Sequence, residues 1–419
     1  MAWLGGRGAW QGIDPQGVSA QGAEGDGKVA EGRILALVAA VQFINILDFM
    51  MVMPLGPDFA RQLGISTSHI GYVGGAYTAA AAVSGLVGAL FLDRFDRRSA
   101  LVLSMLGLAL GTAAGAFARG LPSLMLARVL AGAFGGPATS VSLSIVADVV
   151  PPQRRGKAMG WVMSAFSVAS VLGVPAGLEL ARRGTFRTPF LAVAGLGLAV
   201  TVFAFVLLPS MRSHLVERRA QPAFAEIFAR PLVRRSLALT AMLNVAGFVL
   251  IPNIAGYVQL NLGYPRARLG LLYLCGGVAS FLTLRVTGRL VDQRGSTWVA
   301  RNATVLLAFT IVAGFVVNPP WLPVTLLFIL FMTAMSARNV SASTLTSLVP
   351  LAAERARFTS MQSSVQHLAA ASGAFLSAQV LSARPDGQLV GMARVATMSV
   401  LLTITLPLLF HAVEREARA

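Results

Sequence analysis

Twelve apolar runs, each long enough to cross a bilayer as a helix, divide this chain of 419 residues. They begin near Ile34, Ile70, Ala100, Pro122, Ala158, Pro189, Leu237, Leu269, Trp298, Trp321, Phe358 and Leu389. In hydrocarbon every backbone N–H and C=O must find a partner inside the protein, so runs of this length are read as helices. The expected fold class is an all-α membrane protein of twelve transmembrane helices. With 55% apolar and only 12% charged residues, a soluble globular fold is excluded.

The charge that remains carries the topology. Connections after even-numbered spans hold about 17 Lys and Arg and those after odd-numbered spans about 8, which places the even connections and both termini in the cytoplasm. The net charge of +17 is spread over these short connections, not gathered in a stripe with interleaved aromatics, so nucleic acid is not an expected partner. One cysteine, Cys275, and four scattered histidines give no disulfide framework and no metal cluster, and no phosphate-binding loop or activated nucleophile occurs. Neither an enzyme nor a bound cofactor is expected. Residues 1–32, rich in Gly and Gln, read as a disordered cytoplasmic tail.

The spans also repeat. "GALFLDRFDRRS" after span 2 is matched by "TGRLVDQRGS" after span 8, pairing Asp93 with Asp292. "DVVPPQRRGKAMG" before span 5 is matched by "SLVPLAAERARFTSM" before span 11, and "MPLGP" in span 1 by "IPNIAG" in span 7. A common offset near 199 residues implies two pseudo-symmetric six-helix bundles, over 33–209 and 236–411, joined by a basic cytoplasmic linker over 210–235 and ending in a cytoplasmic tail over 412–419.

With an Asp ending span 2, a basic cluster after it, an Arg early in span 4 and a Gly/Pro motif in span 5, the chain from Arg33 onward resembles the major facilitator superfamily. Within it, the likeness is to bacterial proton-coupled drug and sugar efflux permeases. The resemblance implies that Asp93, Arg94, Arg97 and Arg98 form an inner gate, Asp93 holding the start of span 11 near Phe358; the alternative is a solvated topogenic loop. Ala89 and Asp96 stand where that family's loop motif has glycines, and the copy after span 8 keeps Asp292 but thins the basic cluster to Arg294. Gly173, Pro175 and Gly177 in "GVPAG" correspond to a Gly/Pro motif that the resembling antiporters associate with efflux; an ordinary membrane kink is the other reading.

Ionisable residues inside spans are costly and so mark candidate sites. Arg128 lies roughly 9 Å and Asp48 roughly 12 Å from the outer ends of spans 4 and 1, at 1.5 Å per residue. Gln42, Asn45 and Asp48 share one face of span 1, while Arg128, Gly132, Gly135 and Thr139 share one face of span 4 with room for a neighbour. An ion pair or a shared hydrogen-bond network between these faces is expected, serving proton coupling or, alternatively, only packing. In the second half, Arg338 on span 10 and a stripe of Gln362, Ser363, Gln366 and His367 on span 11 lie at similar depth, and Asn244 adds an amide on span 7. With Gln42 and Asn45 these are the expected substrate contacts, Arg338 being suited to an anion; a structurally satisfied His367 is the alternative.

The expected function is secondary active transport by alternating access, as proton-coupled efflux of a small amphiphilic solute or drug by a monomer in the bacterial inner membrane. A symporter or facilitator importing a sugar or organic acid is the alternative within the class, and a non-transporting receptor or membrane-embedded enzyme the alternative outside it.

Overall fold

The computed structural model describes residues 20–151, 154–211, 224–351 and 354–418. Among the described residues, eleven helices are long and apolar enough to cross a membrane. In the first half they are α1 (Glu31–Leu63), α2 (Thr67–Gly88), α3 (Arg97–Ala116), α4 (Leu121–Val149), α5 (Lys157–Arg183) and α6 (Arg187–Leu207). In the second they are α7 (Pro231–Leu260), α8 (Arg266–Arg294), α9 (Ser296–Val317), α10 (Val324–Ser347) and α12 (Met392–Ala417). The twelfth, α11 (Arg355–Val380), is long enough to span but carries too many Gln, Ser and His side chains to meet the same apolarity. It lies against α2 and α7. A two-stranded hairpin, Ser382–Ala383 with Leu389–Val390, links α11 to α12.

The repeat is visible in the packing. Helix pairs α2–α4, α3–α4, α3–α6 and α1–α6 recur as α8–α10, α9–α10, α9–α12 and α7–α12. The two halves meet through α2 against α11 and through its symmetry mate, α8 against α5. Spans α1 and α7 are broken at the matched places. In α1 the helix Ala20–Val52 passes through a turn at Met53–Leu55 into Gly56–Leu63; in α7 the helix ending at Phe248 passes through Ile251–Asn253 into Ile254–Leu260. Proline withholds one N–H from the ladder, which is why the breaks fall at Pro54 and Pro252.

Helices run further than the expected domain limits. The α1 helix is continuous from Ala20, within the segment read as a disordered tail, and the helix of α12 continues to Arg418, through the segment read as a C-terminal tail. A short helix, Phe224–Ala229, and the start of α7 occupy the end of the expected linker, whose residues 212–223 lie outside the described residues, as do residues 1–19 of the tail. At these ends Arg235 pairs with Glu416, holding α7 against α12 beyond the apolar segments.

The halves are closed together at the face remote from the termini. There Arg266 at the start of α8 reaches Asp58 in α1, the Thr67 hydroxyl donates to the Gly387 carbonyl at 2.8 Å, and Tyr72 and Phe375 stack at 6.0 Å. At the terminal face the pairs Arg97–Asp148, Arg154–Glu31 and Arg230–Glu354 each stay within one half. The apolar core follows the same division. One cluster runs through the first half and the remote part of the second, while Ile227, Val233, Leu345, Phe358 and Phe410 form a separate cluster at the terminal end of the second.

Candidate functional site

Asp48 and Arg128 form a bidentate ion pair inside the first half. The Arg128 Nη1 donates to Asp48 Oδ1 at 2.9 Å and Nη2 to Oδ2 at 2.8 Å, with a longer 3.3 Å bond from Nη2 to the Asp48 carbonyl. Both side chains are closed off, at 0% and 1% exposure. A buried pair of this kind survives only when its remaining polar atoms find partners. The Thr112 hydroxyl from α3 supplies one, donating to Asp48 Oδ1 at 2.7 Å, and the Tyr77 ring from α2 lies 4.6 Å under the guanidinium. Four helices therefore converge on one carboxylate. Neither Thr112 nor Tyr77 stands out in the sequence, because each is a single polar residue in an apolar run with no periodic partner.

Glycine makes this approach possible. A Cβ on Gly132 would sit 2.2 Å from the Tyr77 carbonyl oxygen, and one on Gly135 would sit 2.4 Å from the Tyr77 hydroxyl. The close packing of α2 on α4 sets the Tyr77 ring under Arg128. The Tyr77 hydroxyl then donates to Asn45 Oδ1 at 2.6 Å, and Asn45 Nδ2 donates to the Gly135 carbonyl and the Thr139 hydroxyl, each at 2.6 Å. Gln42 donates to Ser142 at 3.0 Å. Gln42 and Asn45, expected as substrate contacts, are thus buried and spent on helix–helix bonds: the polar face of α1 meets the polar face of α4, leaving no side to a cavity.

The second-half residues do not gather as expected. Arg338 is fully buried and faces α12 and α7, donating to Thr403 Oγ1 at 3.3 Å and to Met335 Sδ at 3.1 Å. The matched depth with the α11 stripe is not a matched direction. Gln362 instead bridges helices, with bonds of 2.9 Å to Thr346 and 3.4 Å to Thr240. Asn244 turns back to the Thr240 carbonyl of its own helix at 2.8 Å. Gln366 is exposed and His367 half-buried, and neither has a hydrogen-bond partner among the described residues.

Of the expected inner gate, the Asp93 side chain lies outside the described residues. Arg97 pairs with Asp148 of α4 at 3.2 Å, Arg98 donates to the Phe205 carbonyl of α6 and lies over its ring, and Arg94 is exposed. These described bonds of Arg97 and Arg98 brace the first half and do not reach the second. Asp96, where a glycine is expected, caps α3 by accepting from the Arg98 N–H at 2.9 Å. Asp292 is exposed. Gly173 and Pro175 fall at a π-helical turn, Ala169–Gly173, where α5 touches both halves. A Cβ on Gly173 would lie 2.8 Å from Leu47, beside Asp48, and one on Gly277 of α8 would lie 2.9 Å from the Ser170 carbonyl. Gly177 faces Met51 with ordinary room, a Cβ there reaching it at 3.8 Å.

The sequence model of the Major Facilitator Superfamily matches residues 38–378. The chain belongs to this superfamily. It is a multi-pass membrane transporter, not an enzyme. It is similar to the chloramphenicol resistance protein of Streptomyces lividans, 28% identical over 70% of this chain and 75% of that protein. It is also similar to the inner membrane transport protein YdhP of Escherichia coli (strain K12), 29% identical over 54% of this chain and 57% of that one. Among solved structures, a bacterial homolog of the human lysosomal transporter Spinster, inward-facing and unoccupied, superposes with a TM-score of 0.70 at 15% identity, over 92% of this chain and 97% of that one. That likeness shows the fold.

Sequence reading did not single out Asp58. Its side chain is 4% exposed and accepts from Arg61 at 2.5 Å and from Arg266 of the other half at 2.7 Å. Arg266→Ala leaves Asp58 only Arg61 of its own helix and removes the charged bond between the halves, so closure at this face should loosen. A cysteine placed at Ile254, in a background with Cys275 replaced, should then react about tenfold faster with an impermeant thiol reagent. The exchange Asp58→Arg with Arg266→Asp should bring the rate back. Equal labelling in parent and Arg266→Ala would mean that apolar packing alone closes this face.

Proposed function

We propose that this transporter exports small amphiphilic solutes in exchange for protons, as a monomer in the bacterial inner membrane with its termini in the cytoplasm. The observation that carries the proposal is the Asp48–Arg128 pair: a carboxylate at 0% exposure, held by Arg128 of α4 and Thr112 of α3, with Tyr77 of α2 under the guanidinium. Arginine keeps its charge at all working pH values, so a proton arriving here can be held only by Asp48. Protonation removes the attraction that fixes α1 to α4, and α1 also forms part of the closed face through Asp58. A proton event is thereby linked mechanically to which side is open. The relatives named for chloramphenicol resistance and for inner membrane transport support export, and the Lys and Arg excess in the even-numbered connections supports the orientation. Asp93 and the basic residues after it, with Asp292 in the second copy, are assigned to the terminal-face gate on family likeness, and Gly173, Pro175 and Gly177 to the bend at which α5 moves.

The test uses proteoliposomes carrying a pH-sensitive dye, with chloramphenicol as the first solute. An imposed gradient, acidic on the face remote from the termini, should drive chloramphenicol to that side, and adding chloramphenicol should consume the gradient. Movement down its own gradient with no change in dye signal would identify a facilitator.

A further inference from the structure

Among the described residues Arg338 is a fully buried guanidinium like Arg128, and its surroundings differ in kind. It lies in the middle of α10, roughly 14 residues or 21 Å from one end and 14 Å from the other. Both arginines leave Nε without a partner. The Nη atoms of Arg128 share a carboxylate, whereas those of Arg338 have a threonine hydroxyl at 3.3 Å and a thioether at 3.1 Å. No described carboxylate pairs with it. A guanidinium cannot shed its proton to escape this burial, and a thioether is among the weakest acceptors in a protein. The charge is therefore under-compensated at mid-membrane, where such residues mark sites for anions.

The cover over this charge is movable. Met335, one turn before Arg338 on α10, is half-buried, and its Sδ occupies the Nη2 donor. Its methyl group also lies 3.2 Å from where a Cβ on Gly247 would be, so a larger residue there would close the gap. Methionine has three rotatable bonds and adapts to what displaces it. Gly247 directly precedes the break in α7, where the Ala246 carbonyl is taken by the Ser399 hydroxyl of α12 at 2.6 Å. The helix that would have to yield is thus already interrupted beside Arg338.

We propose that Arg338, gated by Met335 and the α7 break, is a binding site for the anionic group of a small aromatic or aliphatic acid, so that carboxylate-bearing amphiphiles are the preferred substrates. The carboxylate replaces the Met335 sulfur on Nη2 and reaches Nε, a side-on bidentate pair where Arg128 holds Asp48 end-on through Nη1 and Nη2. The proposal rests on the export reading above and names the solute class that it takes.

Purified full-length protein in micelles at neutral pH is titrated with 2-naphthoate and with 2-naphthamide, which match in shape and differ in charge, and binding is read as thermal stabilisation. Naphthoate should bind about tenfold more tightly or better, the size expected of a charge-assisted bond. Arg338→Gln should erase the difference, weakening naphthoate about tenfold. Met335→Ala, which keeps the charge and removes its cover, should strengthen naphthoate severalfold and not naphthamide. Equal binding of the two probes, no stabilisation by naphthoate, or a preference that persists in folded Arg338→Gln overturns the site. Should Arg338→Gln not fold, unchanged naphthoate affinity in Met335→Ala overturns it instead. A parent protein that binds both probes equally while proton-linked chloramphenicol movement is intact removes this inference alone, and a parent that prefers naphthoate but moves chloramphenicol without protons removes the coupling alone.

Discussion

Asp48→Asn is expected to abolish transport driven by a pH gradient while leaving solute binding and energy-independent exchange measurable. The amide copies the shape of a protonated carboxyl and can still meet the Thr112 hydroxyl, which sits 2.7 Å from Oδ1. What it cannot do is lose a proton. Arg128 keeps its 3.3 Å bond to the residue-48 carbonyl and the Tyr77 ring 4.6 Å away, and both cushion the unpaired charge. The variant is therefore expected to insert and fold, with the charge state of the protonated pair. Counterflow in proteoliposomes without a gradient should proceed, and concentrative transport should fall to the level of empty vesicles. A variant that still concentrates solute as the parent does would move proton coupling away from Asp48 and leave the pair with a packing role.

The sequence reveals this pair because it is set by one-dimensional quantities. Depth follows from counting residues at 1.5 Å each, and facing follows from the helical period, so Asp48, Asn45 and Gln42 could be aimed at the Arg128, Gly132, Gly135 and Thr139 face before any fold was known. Internal repetition likewise gave the pairing of α1–α6 with α7–α12. Direction around a helix is less legible where only one polar residue is present. Arg338 has the expected depth but points to Thr403 and Met335, not to the α11 stripe, because the packing of α10 on α7 and α12 decides its azimuth. Contacts between halves are the least legible of all. Asp58 and Arg266 are 208 residues apart, and nothing in either local sequence says that two pseudo-symmetric bundles will close on them. Tyr77 is illegible for a related reason, since its value comes from α2 being brought to α4 by Gly132 and Gly135 on the other helix.

Arg128→Ala should be the more damaging change, reducing both transport and stability. It strands Asp48 at 0% exposure with one hydroxyl donor, Thr112, where it previously had a bidentate guanidinium. Breaking a buried pair from one side costs about 3–5 kcal/mol, several times the effect of an ordinary surface substitution. The ring of Tyr77 also loses the cation it supports, so the cavity opens between α2 and α4 where Gly132 and Gly135 hold them closest. The carboxyl can relieve itself only by taking up a proton, which would make the variant insensitive to pH and resemble Asp48→Asn in coupling while being less stable. The double variant Asp48→Asn with Arg128→Ala should then be more stable than Arg128→Ala alone, because no charge is left to strand. Arg128→Lys should recover part of the stability but little of the transport, as an ammonium cannot reproduce the two parallel bonds at 2.9 and 2.8 Å. Thermal unfolding of the four proteins in one detergent gives the coupling energy directly; strictly additive losses would show that Asp48 and Arg128, though bonded, do not depend on each other.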